Sequence, residues 1–300
     1  MTDFRCAVAS RARADELAGT ASTVRSFLLV EHPGPWGAEA LRDARMPDGL
    51  GAHLREAAGR HRVRVLLVRR PGRQAAGGGT RVFAARAAGA GSWLETALLD
   101  RIDDVRDLDL AALGAGRSPG LERHDAPLMA VCTHGRHDAC CAELGRPVAR
   151  ALADGAHAAA VWEVSHVGGD RFAGNLVVLP RGYYYGGLDP ETALGVAAAT
   201  AADELLLDHL RGRSDLPMAA QAADIAVRRE HGLTGFDDVR PEAVRSDGDL
   251  TTARFEVRGL GRREVVVRRV PDEATYQLTC SARRESAVWR HEVVEVREVP

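Results

Sequence analysis

The chain contains no lysine. Its 40 basic side chains are all arginines, set against 42 acidic ones, and the formal net charge is −2. The arginines are scattered among acids, so no global field draws the chain to nucleic acid or to an anionic membrane surface. A coding bias accounts for the missing lysine better than an anion-binding surface does. Long hydrophobic runs are missing too. None approaches the roughly 18–20 apolar residues that span a bilayer, and Met1–Arg13 lacks the apolar stretch of a secretory signal. The expected location is the cytoplasm. Cysteine is scarce, at five residues: Cys6, Cys132, Cys140, Cys141 and Cys280. An odd count in a long cytosolic chain argues against a disulfide framework. Three of the five, however, fall within ten residues of one another.

With 300 residues, 45% apolar and 27% charged, the chain can bury a substantial core in one large domain or two modest ones. Its first half alternates strands and helices. Val24–Val30 is a buried-strand pattern stopped by His32-Pro33-Gly34-Pro35, which cannot continue a strand. Leu50–Arg60 has helical spacing. Val63–Val68 and Thr80–Ala85 read as further strands around the loop Gly77-Gly78-Gly79. That loop lacks the Gly-Lys-Ser/Thr ending of a phosphate-binding loop, so a flexible hairpin connection is the better reading. Trp93–Leu98 is a strand or a helix start, and Leu110–Pro119 is a small-residue stretch suited to a boundary.

The second half repeats that order. Leu128–Val131 is a strand running into Cys132, and Cys141–Leu152 has helical periodicity, with Leu144, Val148, Ala149 and Leu152 on one side. Ala160–Val164 is a strand. Asn175–Leu179 and Tyr183–Gly187 flank the turn Pro180-Arg181-Gly182 as a hairpin. Pro190–Leu210 reads as a long helix with Asp189 as its N-cap. Strand, helix, strand, hairpin, helix is the order of a thioredoxin-like unit. Residues 24–98 show much the same order without the cysteines, the pattern of a degenerate duplication. Gln221–His231 reads as one more helix, ended by Gly232. Beyond it the apolar period becomes two. Thr252–Arg258, Glu264–Val270, Thr275–Ala282 and Val288–Val296 predict an antiparallel meander with one buried face. On that pattern Cys280 shares a strand face with Tyr276 and Leu278 and serves packing. Cys6 likewise reads as a buried, inert thiol.

The segment that carries chemistry is Cys132-Thr133-His134-Gly135-Arg136-His137-Asp138-Ala139-Cys140-Cys141. It starts where a strand ends and stops where a helix begins, and a helix N-terminus stabilises thiolates. A second loop, Ser165-His166-Val167-Gly168-Gly169-Asp170-Arg171-Phe172-Ala173-Gly174-Asn175, comes after the next strand and is expected at the same sheet edge. His166 and Asp170 are four apart, and the glycines between them let the backbone pass close to a bulky group. Asp170 could equally pair with Arg171 or cap a turn. His134 and His137 are expected to face solvent or bond the loop, though either could serve a metal. Tyr183–Tyr185 read as core or edge-strand aromatics.

These loops, together with Trp162-Glu163, Tyr184-Tyr185-Gly186, Leu17-Ala18-Gly19-Thr20-Ala21 and Glu31-His32-Pro33-Gly34-Pro35-Trp36-Gly37, resemble the sucrase/ferredoxin-like family, notably its actinobacterial members. The resemblance covers roughly residues 15–210. These are thioredoxin-like ferredoxins, so the resemblance implies a [2Fe–2S] cluster. Cys132 and Cys141, spaced Cys-x8-Cys, would hold one iron. The family's His-x3-His would hold the other. Here His166 is present, but Asp170 stands at the second position. Asp170 could ligate iron, bond a water, or leave the site incomplete. Cys140 could replace Cys141 or add a third thiolate.

The fold class expected is therefore α/β, thioredoxin-like and duplicated, with a C-terminal antiparallel meander. Three regions are expected: 1–118, an α/β half without a cluster; 119–212, a ferredoxin domain; and 213–300, a helix plus antiparallel strands. The function expected is electron transfer with unidentified donor and acceptor proteins, and no catalytic residue is assigned. A zinc module using the same side chains and a thiol redox protein using vicinal Cys140-Cys141 are the alternatives. The latter is weaker, because a vicinal disulfide is strained and no Cys-x-x-Cys is present. No carboxylate pair stands out for glycoside hydrolysis.

Overall fold

Runs such as Ser26–Glu31 and Val63–Arg69 are apolar on both faces, which suits strands covered on two sides. The computed structural model describes residues 4–72 and 78–300 and puts these runs at the centre of a ten-stranded sheet. Gly77 of the glycine loop lies outside the described residues. A short helix α1 (Cys6–Ala12) precedes the first half, which contains β1 (Ser26–Glu31), α2 (Ala40–Asp43), α3 (Leu50–His61), β2 (Val63–Arg69), β3 (Thr80–Arg86), β4 (Trp93–Leu99) and α4 (Leu110–Gly114). A two-residue strand β5 (Glu122–Arg123) leads to the second half: β6 (Leu128–Cys132), α5 (Ala139–Ala153), β7 (Val161–Val164), β8 (Leu176–Leu179), β9 (Tyr183–Tyr185) and α6 (Pro190–Ala201). The remainder is β10 (Leu210–Arg213), α7 (Met218–His231), β11 (Val239–Asp247), β12 (Leu250–Val257), β13 (Gly261–Tyr276) and β14 (Ser286–Glu298).

The large sheet runs β10-β9-β8-β6-β7-β2-β1-β3-β4-β5. Within it the two halves share one topology. β1 is parallel to β2 and antiparallel to β3, and β3 pairs antiparallel with β4. Likewise β6 is parallel to β7 and antiparallel to β8, and β8 pairs antiparallel with β9. The halves join through β2 and β7, antiparallel at Val68↔Val164 and Arg69↔Glu163. Only the C-terminal ends of these two strands overlap. Side chains alternate across the sheet. Leu28 and Val30 pack with Leu50 and Leu54 of α3 on one face. Phe27 and Leu29 join a core that continues through Ala130, Cys132, Trp162 and Tyr184 on the other. The four-stranded sheet β11-β12-β13-β14 buries Ala253, Phe255, Val265 and Val267 against Ala220, Ala223 and Val227 of α7.

Several expectations change. Leu110–Pro119 is not wholly a linker, because it begins with α4, whose Leu110 and Leu113 are buried. The helix from Pro190 is capped by Asp189 as expected but ends at Ala201, not Leu210. Asp203 turns left-handed at φ 57°, Leu205 bonds Thr234, and Leu210 enters the sheet beside Tyr185. A short apolar run fits a helix or a buried strand equally well. The strand Val239–Asp247 goes unpredicted because Pro241 interrupts it. It lies at a sheet edge, with a register shift between Pro241 and Ala243, and an edge tolerates proline. Pro271-Asp272-Glu273, which lies between the expected strands Glu264–Val270 and Thr275–Ala282, does not separate them: β13 passes through it with a register shift between Pro271 and Thr275, as in a bulge. Thr275–Ala282 is consequently not a strand of its own. Cys280 lies in the loop between β13 and β14 rather than on a strand face.

Candidate metal centre

β6 and β7 are parallel neighbours with Cys132 opposite Val164, so the loops after them leave the sheet side by side. The first loop turns into α5, whose N-cap is Asp138: its carboxylate accepts the Cys140 N–H at 2.9 Å. Gly145 lets α5 lie against the end of β6, since a Cβ there would meet the Cys132 carbonyl oxygen at 2.0 Å. The second loop needs Gly168 and Gly169, with φ of 97° and 79°, to bring Asp170 back beneath His166. Buried Arg211 clamps it by donating to the Gly168 carbonyl at 3.0 Å and to Asn175 Oδ1 at 2.8 Å. Asn175 in turn donates to the Gly169 carbonyl at 2.9 Å.

Four of the expected site residues meet there. Asp170 Oδ1 lies 2.9 Å from His166 Nδ1 and accepts from the Cys141 thiol at 3.2 Å. The buried Cys132 sulfur interacts with both Cys141 and His166. Cys140, the fifth candidate, points elsewhere: its sulfur lies 3.4 Å from that of Cys280. Successive residues of a helix are turned by about 100°, so the vicinal pair is divided between two environments. All five cysteines are free thiols. Asp170 does not pair with Arg171, whose carboxylate partner is Asp15 at 3.5 Å.

The two histidines of the first loop separate by role. His134 is buried. Its Nε2 donates to the Gly37 carbonyl at 2.8 Å, while Nδ1 accepts the His166 backbone N–H at 3.2 Å. Both nitrogens are thus committed, with the proton assigned to Nε2 by the network. His137 uses only Nδ1, on the Ala38 carbonyl at 3.1 Å. Its Nε2 points at Asp170 Oδ2, 3.8 Å away, and its ring stacks on His166 with centroids 3.9 Å apart. His137, His166 and Asp170 could hold a metal ion together. Nothing in the local sequence singles out His137, whereas its position between Cys132 and Cys141 places it in the right loop.

Electrostatics in the protein without a metal are set by these contacts. The Cys141 thiol holds Cys132 ionised well below the usual thiol range, with help from His166 against the cost of burial. Cys141 is pushed far up by that same contact and by burial. Burial would pull His166 down, but Asp170 and Cys132 outweigh it and raise the imidazole to about 9. Burial opposes the Asp170 charge, yet His166 keeps that carboxyl below its ordinary value. His166 Nδ1 faces the Asp170 carboxylate at 2.9 Å. An imidazole next to a carboxylate and the Cys132 sulfur, once it gives up its proton, is suited to a metal.

Residues 17–212 match the model of the sucrase/ferredoxin-like family. The chain belongs to that family. The match spans both halves of the large sheet up to β10 and leaves α1, α7 and the four-stranded sheet outside it. No curated protein and no solved structure gives a match. The grouped Cys, His and Asp side chains could hold a metal ion. Among the described residues, no helix is long and apolar enough to cross a membrane.

Proposed function

We propose that this family member is an electron carrier that holds a [2Fe–2S] cluster between the loops after β6 and β7. The observation that carries this reading is the convergence of Cys132, Cys141, His166 and Asp170 where the loops after β6 and β7 meet. Cys132 and Cys141 would hold one iron, His166 and Asp170 the other. The cluster supplies one-electron chemistry at a potential set by ligand charge and burial. The protein supplies the asymmetry. Cys132 and Cys141 are enclosed by core residues such as Val164, Val167 and Tyr184. His137 and His166 keep 26% and 25% of their side chains exposed, while Asp170 keeps 4%. Electrons would therefore enter and leave on the histidine side, where donor and acceptor proteins dock in the cytoplasm. A cleft there, lined by Arg42, Arg55 and Arg64 beside both histidines, favours acidic partners.

Anaerobically prepared protein should be red-brown, with about two irons and two acid-labile sulfides per chain. Stoichiometric zinc and no visible absorption, in protein made with ample iron, would refute the reading. Asp170→His should keep the cluster and raise its potential, because a neutral imidazole penalises the incoming electron less than a carboxylate does. Asp170→Ala should weaken cluster retention. An Asp170→His potential equal to wild type, with intact cluster, would remove Asp170 from the ligand set and leave His137 as the candidate.

A further inference from the structure

A second group of thiols lies on the far side of the same helix start. Cys6 opens α1, Cys140 sits in the first turn of α5, and Cys280 is in the loop between β13 and β14. These residues are more than a hundred positions apart, yet the Cys280 sulfur lies 3.4 Å from that of Cys140 and 3.6 Å from that of Cys6. Both carboxylate oxygens of Asp138 lie 3.6 Å from the Cys6 sulfur. One donor atom from each of the four residues lies within 4.8 Å of the other three.

We propose that Cys6, Asp138, Cys140 and Cys280 form a structural zinc site. Zinc bonds sulfur at about 2.3 Å and oxygen at about 2.0 Å in tetrahedral sites, which puts neighbouring donors roughly 3.5–3.8 Å apart. The observed spacings of 3.4 and 3.6 Å are close to those edges and far from the roughly 2.05 Å of a disulfide. Three soft thiolates with one carboxylate suit zinc over harder cations. Four protein donors also close the coordination shell, as a structural rather than a catalytic site requires.

The surroundings are built for such a group. The Cys140 N–H holds one oxygen of Asp138 at 2.9 Å and the Cys280 N–H holds the other at 2.7 Å. The carboxylate is thereby fixed by the backbone of two of its co-ligands, as metal ligands commonly are by groups behind them. The Ala7 N–H bonds the Cys140 sulfur. Partly buried Arg171, whose Nε lies 3.5 Å from Asp15, is within electrostatic range of Cys6 and places positive charge beside a site of net negative charge. Cys6, Asp138 and Cys140 are buried, while part-exposed Cys280 leaves a way in.

The site also explains how the ends of the chain are held. Cys6 and Cys280 lie outside the family match, whereas Asp138 and Cys140 lie inside it. Zinc would thus clasp both appended segments to the helix that carries Cys141. The inference does not rest on the cluster reading, and the two fail separately. Metal analysis of the full chain, expressed with ample iron and zinc, should find about one zinc per chain beside any iron. Cys6→Ser and Cys280→Ser should each lose the zinc and keep the iron content and visible spectrum of wild type. Cys132→Ala should keep the zinc. Cobalt(II) added to zinc-stripped protein reads the same donors optically: wild type should show tetrahedral cobalt with thiolate charge transfer, weaker in Cys280→Ser. Three results would overturn the proposal: no zinc in wild type, a Cys140–Cys280 disulfide in unreduced peptide mass spectra, or zinc lost from Cys132→Ala and retained in Cys6→Ser.

Discussion

The two halves of the large sheet share a strand order and differ in the connections that leave their first strands. After β6 the chain takes residues 133–138 to reach α5, and Cys132 and Cys141 stand at the two ends of the loop. After β1 it takes residues 32–49, with α2 on the way, to reach α3. There the residue after the strand is His32. Its ring is spent on that connection, with Nε2 bonding the Arg45 carbonyl at 2.9 Å and Nδ1 accepting the Gly34 N–H at 3.0 Å. The longer crossover is not idle. Because β2 and β7 meet at their C-terminal ends, it falls beside the loops of the other half and offers the Gly37 and Ala38 carbonyls to His134 and His137. The half without cysteines thus orients the histidines of the half that has them. One topology supports two roles because function resides in loops placed on a shared frame.

The largest effect should come from breaking each half where its first strand ends. Cys132→Ala should abolish iron binding altogether. His32→Ala should lower unfolding free energy by about 1–3 kcal/mol through lost buried hydrogen bonds yet leave iron per chain unchanged. Iron analysis with urea unfolding on both variants checks the contrast. Iron loss in His32→Ala would mean that the first half does more than support.

A smaller effect should come from cutting the link between halves. His134→Ala removes the bonds to the Gly37 carbonyl and to the His166 N–H, at a cost of about 1–3 kcal/mol. Iron content should fall in part and rise again when the protein is loaded and kept cold. Full iron content and unchanged stability would show that the crossover does not position His166.

The smallest effect is a pH dependence confined to the second half, in protein without metal. Unfolded histidine titrates near about 6.5 and unfolded cysteine near about 8.5. In the folded chain His166 is raised to about 9 and Cys132 is lowered. The raised imidazole gives stability that is full below about 6.5 and lost as pH rises through 9. The lowered thiol gives stability that is lost as pH falls. Between about 6.5 and 8.5 the two changes cancel, so the urea midpoint should stay flat. In Cys132→Ser only the imidazolium beside Asp170 remains, and the midpoint should fall as pH rises across that range. Parallel profiles in the two proteins would show that His166 is not raised.

Local patterns in the sequence were enough for much of this. The strands of the large sheet other than β5 and β10, helices α3, α5 and α7, the Asp189 cap and the two glycine-bearing loops all arise from periodicity and turn chemistry between near neighbours. The expectation that Cys132, Cys141, His166 and Asp170 belong together came from the resemblance to the sucrase/ferredoxin-like family, and the four meet because both loops come directly after parallel strands. The early end of α6, the proline-containing edge strand β11 and the unbroken β13 were hidden, because each depends on what the segment packs against. Likewise, no spacing rule links Cys6, Cys140 and Cys280, joins Gly37 to His134, or turns Cys140 away from Cys141's site. Those pairings need a helix start, a chain terminus and a distant hairpin loop brought within 3.6 Å. Short-range regularity is written residue by residue, whereas the meeting of remote donors is decided only when the whole sheet and its appended ends pack.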